Sequence, residues 1–124
     1  MSLAAIERST VSAKSDRGGQ MHILLSPRTV ETQTGFMGTL VLAPEEAYKK
    51  HYHPYSDEYL YVINGEITIT GDANTITAQA GTGVFIPKST PHRLQNTGNV
   101  DTTIVFFSCP LAPRPDLGHV MLEE

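Results

Sequence analysis

Three histidines and one glutamate stand at a spacing that suits a divalent metal ion. The first group reads His51-x-His53-x4-Glu58, and His92 follows further along the chain. Imidazole nitrogens suit zinc, copper, iron or nickel, and a carboxylate adds negative charge and a preference for harder ions. The sequence therefore predicts chemistry at one divalent transition metal ion, with His51, His53, Glu58 and His92 as its ligands.

The spacing of these residues has a mechanical reason if they lie on β-strands. Side chains on a strand repeat every two residues on the same face, so His51 and His53 point the same way and Tyr52 points away. Glu58 opens the next predicted strand, and His92 returns after a Pro-rich loop. We expect two neighbouring strands and a third, distant strand to converge on the ion.

Length, charge and cysteine content exclude several classes of protein. The chain has 124 residues, which is enough for one domain, and a net charge of −4. Beyond Lys49-Lys50 it has no basic cluster, so nucleic acid and anionic membranes are not expected as partners. No apolar run approaches the ~20 residues that span a bilayer. The first 20 residues lack a secretory apolar segment, and Cys109 is the single cysteine, which predicts a cytoplasmic protein.

The local pattern is that of an all-β protein. Short segments rich in Ile, Val, Thr, Tyr and Phe are separated by Gly, Pro and Asn, and helical periodicity is weak throughout. The predicted strands are 21–26, 36–42, 49–53, 59–64, 66–70, 75–78, 84–86, 93–96 and 102–108. Asn64-Gly65 is a hairpin signal, because both residue types tolerate positive φ. Nine short strands predict a sandwich or closed barrel, and a double-sheet jelly roll suits them.

Two terminal segments differ from this β pattern. Residues 1–20 form a predicted N-terminal arm, and residues 21–109 form the predicted barrel. The tail, residues 110–124, contains Pro110, Pro113 and Pro115 and is expected to lie over the surface in an extended form.

The paired histidine motifs resemble those of the cupin superfamily. The family pattern is G-x5-H-x-H-x3,4-E-x6-G followed by G-x5-P-x-G-x2-H-x3-N, and the match here runs from His51 to Asn96. Glu45 stands at the first glycine of the pattern, and Ser89 stands at the glycine after Pro87. Both are turn positions, so they affect loop shape more than metal binding. The resemblance implies a double-stranded β-helix, the jelly-roll cupin barrel, as a single domain.

A narrower resemblance covers roughly Leu24 to Val120. The segments 51–62 (HYHPYSDEYLYV) and 110–120 (PLAPRPDLGHV) resemble the small single-domain cupins of aromatic polyketide pathways. These are the cyclase-associated proteins of tetracenomycin, spore-pigment and resistomycin type. This resemblance implies a metal at the base of an apolar pocket, frequent dimerisation, and a role in folding or modifying a poly-β-keto chain.

Catalytic groups are harder to assign than metal ligands. Glu58 is either a metal ligand, a group that orients a ligand imidazole, or a base. The candidate proton shuttles are a metal-bound hydroxide, Tyr52 and His119, and strand alternation makes Tyr52 the weakest of the three. His119 is either a surface residue in the tail or, if the tail folds over the barrel mouth, a residue of the pocket.

Aromatic residues indicate both a cavity and an outer surface. Tyr59, Tyr61 and Ile63 share the strand face opposite Glu58, so they point outward if Glu58 points inward. Such an apolar face is expected to be covered by the N-terminal arm or by a second subunit, and we favour a homodimer. The residues expected to line a ligand cavity, or else an ordinary core, are Phe36, Leu40, Phe106 and either Phe85 or Met37. Arg28 and Arg114 are either solvated surface residues, which we favour, or cations at the pocket rim.

Three functions are consistent with the sequence. The first is a metal-assisted cyclase on a poly-β-keto or aromatic polyketide intermediate, with zinc as the favoured Lewis acid. The second is a dioxygenase on a phenolic substrate with iron, manganese, nickel or copper, because zinc has no redox chemistry. The third is a cupin that binds a small molecule or a synthase without catalysis.

Overall fold

The strands of this protein form two five-stranded antiparallel sheets. The computed structural model describes residues 2–123. The ten strands are β1 (Gln20–Leu25), β2 (Phe36–Leu42), β3 (Ala47–Tyr52), β4 (Asp57–Asn64), β5 (Glu66–Gly71), β6 (Thr75–Gln79), β7 (Gly83–Ile86), β8 (His92–Gln95), β9 (Thr102–Cys109) and β10 (Val120–Met121). The first sheet has the order β1-β2-β9-β4-β7 and the second β10-β3-β8-β5-β6. The predicted all-β jelly roll is therefore confirmed.

Helical structure is limited to two short 3₁₀ turns, Arg8–Thr10 and Pro115–Leu117, within residues 2–123. No helix in that range is long and apolar enough to cross a membrane. All nine predicted strands are present, with bounds that shift by a few residues. The tenth, β10, was not predicted, because two residues carry no alternating pattern.

Asn64-Gly65 marks a crossing between sheets, so the predicted hairpin is wrong. β4 belongs to the first sheet and β5 to the second. Gly65 has φ 81°, and a Cβ atom there would lie 2.4 Å from Thr102 Oγ1. The Thr102 hydroxyl donates to the Glu66 carbonyl oxygen at 2.7 Å and accepts from the Glu66 N–H at 3.0 Å. These two hydrogen bonds hold the chain where it passes from the first sheet to the second.

The two non-glycine residues of the motif adopt the backbone conformation that glycine favours. Glu45 has φ 73° and Ser89 has φ 62°. The Glu45 N–H donates to the Asn96 carbonyl oxygen at 3.0 Å, and the Ser89 N–H donates to the His53 carbonyl oxygen at 2.7 Å. The turns therefore keep their shape, and the departures from the motif do not displace the histidine-bearing segments.

The core lies between the inward faces of the two sheets. Burial along β4 alternates, so Glu58, Leu60 and Val62 point inward, and the predicted outward direction of Tyr59 and Tyr61 is confirmed. The buried apolar residues are Leu40, Leu42, Tyr48, Leu60, Val62, Ile67, Ile69, Ala78, Val84, Ile86, Leu94, Ile104 and Phe106. Each buried aliphatic side chain contributes about 1.5–3 kcal/mol of hydrophobic stabilisation. This core holds the strands that carry the candidate site.

Candidate metal centre

Three histidines converge at one end of the core, and we call His51, His53 and His92 the histidine cluster. Pairing of β3 with β8 places His51 directly opposite His92. His53 follows the last residue of β3, and its Nε2 lies 3.2 Å from the His51 Nε2. The ligand atoms of all three lie within 4.8 Å of one another, and each residue is at most 3% exposed.

Glu58 reaches this cluster from the opposite sheet. Its Oε2 lies 3.4 Å from the His53 Nε2, and its Oε1 lies 3.5 Å from the His92 Nε2. The Ser108 hydroxyl donates to Oε2 at 3.3 Å and orients the carboxylate. The four residues predicted as metal ligands are thus brought together, three imidazoles from one side and one carboxylate from the other.

Each imidazole of the histidine cluster has its Nδ1 beside a main-chain carbonyl oxygen. The distances are 2.8 Å from His51 to the Lys49 oxygen, 2.8 Å from His92 to the Thr90 oxygen and 3.2 Å from His53 to the Gly118 oxygen. A carbonyl oxygen only accepts, so Nδ1 carries the proton in each ring. A ring with its proton on Nδ1 has Nε2 available as a donor atom, and the three Nε2 atoms face one another, which is how metal-binding imidazoles are oriented.

Burial of the imidazoles, and the effect of those imidazoles on Glu58, keep these groups in the protonation states that bind metal. Burial lowers the pKa of His51 to about 3, and the nearby His92 adds to this effect. Burial likewise lowers the pKa of His53. Burial opposes ionisation of Glu58, but the surrounding imidazoles outweigh it and lower its pKa to about 2. Near neutral pH, His51 and His53 are therefore neutral donors and Glu58 is a carboxylate.

One buried nitrogen of the histidine cluster has no hydrogen-bond partner in the part of the chain that the structure describes, and a bound metal ion would fill that place. The Nε2 of His92 is buried and has no hydrogen-bond partner within residues 2–123. Leaving a buried acceptor unpaired costs about 1–3 kcal/mol. Three convergent imidazole nitrogens with one carboxylate form a donor set for a divalent transition metal. The residues therefore fit such an ion.

The C-terminal tail brings a fourth imidazole to this end of the core. The ring of His119 lies 4.3 Å from the ring of His53 and 5.3 Å from that of His51, between centroids. His119 lines the cavity, so the pocket location holds and the surface location is wrong. Burial, followed by the charges of His53 and Arg17, lowers its pKa to about 2.

Tyr52 is not brought to the site. It pairs with Val120 across β3 and β10 and is absent from the residues that line the cavity. Its direction follows the alternation along β3, which turns it away from His51.

Tyr48 was missed by sequence reasoning and contacts the cluster. Its side chain is 3% exposed, and its ring meets the His51 imidazole edge-on with centroids 4.9 Å apart. The register of β3 against β8 shifts between Tyr48 and His51, so both residues face inward although they are three positions apart. Strict alternation would place them on opposite faces. The adjacent charges of Lys49-Lys50 are the one sequence signal of this irregularity.

A cavity of about 800 Å³ opens beside the cluster, with His51 and Glu58 in its wall. This volume suits a small organic molecule. Phe36, Leu40 and Phe106 line it, as predicted. The alternative of Phe85 or Met37 is wrong, because Phe85 is 53% exposed on the outer face and Met37 is absent from the lining.

One of the two candidate rim cations lies at this cavity. Arg28 lines it, so the pocket-rim alternative holds for Arg28. Arg114 does not, and its Nε instead pairs with Asp116 Oδ1 at 3.1 Å. Lys14 and Arg17 of the N-terminal segment also line the cavity, and neither was predicted to do so.

A jelly roll whose inner surface carries clustered histidines and a glutamate beside an apolar cavity defines the cupin class. The sequence matches the Cupin domain family over residues 38–108, and the chain belongs to this family. It is 40% identical over 120 residues to the tetracenomycin polyketide synthase protein TcmJ of Streptomyces glaucescens, covering 97% of this chain and 80% of TcmJ. It is 47% identical over 108 residues to protein SchB of Streptomyces halstedii, covering 87% of this chain and 78% of SchB.

A solved structure supports the fold. The polyketide cyclase RemF from Streptomyces resistomycificus superposes with a TM-score of 0.74 at 17% identity, covering 99% of this chain and 89% of RemF. At this identity the likeness concerns the fold alone. The narrower resemblance to cupins of polyketide pathways is confirmed by the sequence relative TcmJ, a tetracenomycin polyketide synthase protein.

Proposed function

We propose that this protein is a metal-dependent, polyketide cyclase-like cupin that acts on a poly-β-keto or aromatic polyketide intermediate. The observation that carries the proposal is the buried set of three imidazoles and one carboxylate in the wall of an apolar cavity of about 800 Å³. The names of two similar proteins, a tetracenomycin polyketide synthase protein and a polyketide cyclase, support the substrate class.

His51, His53, His92 and Glu58 are proposed to hold one divalent transition metal ion. Zinc is the first choice, and iron, manganese, nickel and copper are the alternatives. When bound, the ion supplies Lewis acidity that polarises a ketone oxygen of the substrate. The carbonyl partners of the three Nδ1 atoms fix the imidazoles for this task.

The cavity wall contributes by restricting the substrate. Phe36, Leu40 and Phe106 provide apolar surface next to the cluster. A flexible chain held against this surface in one ring-closing geometry has already lost the conformational freedom that opposes cyclisation.

Proton transfer is assigned to His119, with Glu58 as the second candidate. Aldol closure needs a proton removed from an activated carbon, and His119 has a neutral imidazole in the cavity wall. Burial lowers its pKa to about 2, so the ring is an unprotonated but weak base near neutral pH, and the assignment rests on its place in the cavity wall. Glu58 takes this role only if it is not a metal ligand. Tyr52 has no part in the proposal, because it does not line the cavity.

The protein is also proposed to be a homodimer. Apolar side chains stay exposed on the outer face of the first sheet, namely Tyr59, Tyr61, Ile63, Phe85 and Phe107, and we call them the outer aromatic face. The rings of Tyr59 and Phe85 lie 5.2 Å apart between centroids. Because Val11, Ser12, Lys14 and Arg17 of the N-terminal arm line the cavity instead, the alternative that the arm covers this face is not supported. A second copy is the proposed cover. A cytoplasmic location stays a prediction from the single cysteine.

Metal content and product formation test the main proposal together. The protein is purified without a metal-affinity column, analysed for metals, stripped with a chelator and reloaded with zinc. Cyclised product from a poly-β-keto intermediate should be lost on stripping and regained on reloading. His53→Ala should lose both metal and product. Wild-type product formation by metal-free His53→Ala would refute the proposal. Native iron, manganese, nickel or copper, with oxygen uptake on a phenolic substrate, would favour the dioxygenase.

A further inference from the structure

Two consecutive glycines allow the N-terminal segment to lie very close to the barrel. Gly18 and Gly19 have φ 106° and 68°, which favour glycine. A Cβ atom on Gly18 would lie 1.9 Å from the Ala47 carbonyl oxygen, and one on Gly19 would lie 2.6 Å from Leu42 Cδ2. Neither approach is compatible with a side chain. The segment before Gly18 is therefore fixed close to β3.

This placement holds Arg17 over the cavity. The Lys49 N–H donates to the Arg17 carbonyl oxygen at 2.9 Å, which anchors the backbone. The Arg17 side chain is half-buried and lines the cavity, and its Nη1 donates to the Tyr48 hydroxyl in a long 3.5 Å hydrogen bond. Within residues 2–123 no carboxylate forms an ion pair with it. A guanidinium has five N–H donors, so most of them are free for a ligand.

The lining of the cavity carries an excess of positive charge. Lys14 and Arg28 also line it, and neither forms an ion pair within the described chain. Glu58 is the single carboxylate among the described lining residues. A basic, partly enclosed cavity attracts anions.

We propose that the cavity takes an acidic ligand, whose carboxylate binds to Arg17 and accepts a hydrogen bond from the Tyr48 hydroxyl. The planar guanidinium matches a carboxylate in two parallel hydrogen bonds, which an ammonium group cannot reproduce. Tyr48 contacts both Arg17 and His51, so a carboxylate bound here lies next to the proposed metal ligands. The aromatic or poly-β-keto body of this ligand rests on the proposed function, whereas the recognition of its acidic group does not.

The test compares an acid with its neutral amide. Binding of 3-hydroxy-2-naphthoate and of 3-hydroxy-2-naphthamide is titrated on the zinc-loaded protein and again after the metal is removed. The wild type should prefer the acid by about tenfold or more in both forms. Arg17→Gln should reduce the preference to less than about twofold and leave amide binding unchanged. Tyr48→Phe should weaken acid binding by a smaller factor.

Arg114→Gln is the matched control, because it changes the net charge equally and lies outside the cavity lining. It should keep the preference. An unchanged preference in Arg17→Gln, an equal loss of acid and amide binding, or an equal loss in Arg114→Gln would each overturn the proposal. If thermal melting shows that Arg17→Gln does not fold, Arg17→Lys decides. It must weaken acid binding by at least about fivefold with the amide unchanged.

The outcomes separate this proposal from the cyclase proposal. An acid preference that depends on Arg17, without cyclised product under any metal, would refute the cyclase and leave the binding site intact. Metal-dependent cyclisation with no preference for the acid would refute the Arg17 site alone.

Discussion

The ring of Tyr48 meets the imidazole of His51 edge-on, with the two centroids 4.9 Å apart. The register shift in β3 creates this contact, and the His51 Nδ1 is held from the other side by the Lys49 carbonyl oxygen. Aromatic pairs in this arrangement contribute about 0.5–1.5 kcal/mol beyond their buried area. The contact therefore orients an imidazole of the proposed metal centre.

Replacing Tyr48 should separate its packing role from its hydroxyl. Tyr48→Ala leaves a cavity beside His51 and should lower the free energy of unfolding by about 3–5 kcal/mol. It should also weaken zinc binding, because His51 loses its support. Tyr48→Phe keeps the ring and should preserve both properties within about 1 kcal/mol. Urea unfolding and zinc competition with a chelator measure the two effects. Equal zinc affinity in Tyr48→Ala and the wild type would contradict the orienting role.

Ser108 should influence metal affinity without contacting the ion. Its hydroxyl donates to Glu58 Oε2 at 3.3 Å and is fully buried. Groups that orient a ligand in this way change metal affinity by about 10–100-fold. Ser108→Ala should therefore bind zinc at least about tenfold more weakly in a chelator competition. Ser56→Ala is the control, because the buried Ser56 hydroxyl donates to the Pro110 carbonyl oxygen instead. If Ser108→Ala binds zinc as tightly as Ser56→Ala does, Glu58 is not a metal ligand.

Acid should destabilise the metal-free protein, beginning near the ordinary histidine pKa of 6.5. Burial holds the folded-state pKa values of His51 and His119 at about 3 and about 2, so the unfolded chain binds protons first as the pH falls. Stability is therefore fully present above about pH 6.5 and declines toward pH 3. Glu58 adds a further loss of stability below pH 4.5, because its pKa in the folded protein is about 2.

Urea unfolding of chelator-treated protein at pH 7.5 and pH 5.0 measures this decline. His119→Asn removes one of the titrating groups and should show a smaller difference between the two pH values. Equal or greater stability at pH 5.0 in the wild type would contradict the assignment of neutral, buried imidazoles.

Gly18 should matter for the cavity as well as for stability. Gly18→Ala places a Cβ atom 1.9 Å from the Ala47 carbonyl oxygen at φ 106°, so the N-terminal segment must move. We expect a loss of at least about 1–3 kcal/mol in unfolding free energy. The preference for 3-hydroxy-2-naphthoate over its amide should also fall, because Arg17 moves with the segment. Gly81→Ala is the control, since Gly81 has φ 90° but nothing within 4 Å of its Cβ position. Gly81→Ala should lower the free energy of unfolding and keep the preference for the acid over the amide.

The outer aromatic face should control the oligomeric state. Tyr61 and Ile63 are 51% and 48% exposed on β4, and two lysines there would place charge in the proposed interface. Light scattering coupled to size exclusion should give twice the chain mass for the wild type and the chain mass for Tyr61→Lys/Ile63→Lys. Ile76→Lys, on β6 of the other sheet, is the control and should stay dimeric. A monomeric wild type would refute the homodimer.

Some of the site could be predicted because it follows from local rules. The two-residue spacing of His51 and His53 puts them on one face of a strand wherever that strand pairs. Burial along β4 alternates for the same reason, so the outward direction of Tyr59 was predictable. The type of donor atom is a property of the residue, so the residue types and their spacing were enough to predict a transition metal site.

Other parts depended on pairings that local rules do not encode. Asn64-Gly65 has the composition of a hairpin, yet the partners of β4 are β7 and β9, so the chain crosses to the other sheet. The location of His119 depends on how β10 pairs with β3, and two residues are too short to show a pattern.

The sequence by itself determined the donor atoms of the candidate site, the all-β class and the inward and outward faces of β4, because strand periodicity and side-chain chemistry are local. Only the tertiary structure decided that Tyr48 joins His51, that the tail brings His119 beside them, and that Arg17 lies over the cavity. These contacts depend on a register shift, a two-residue strand and a close glycine approach. Each of the three arises where distant segments of the chain pack against one another.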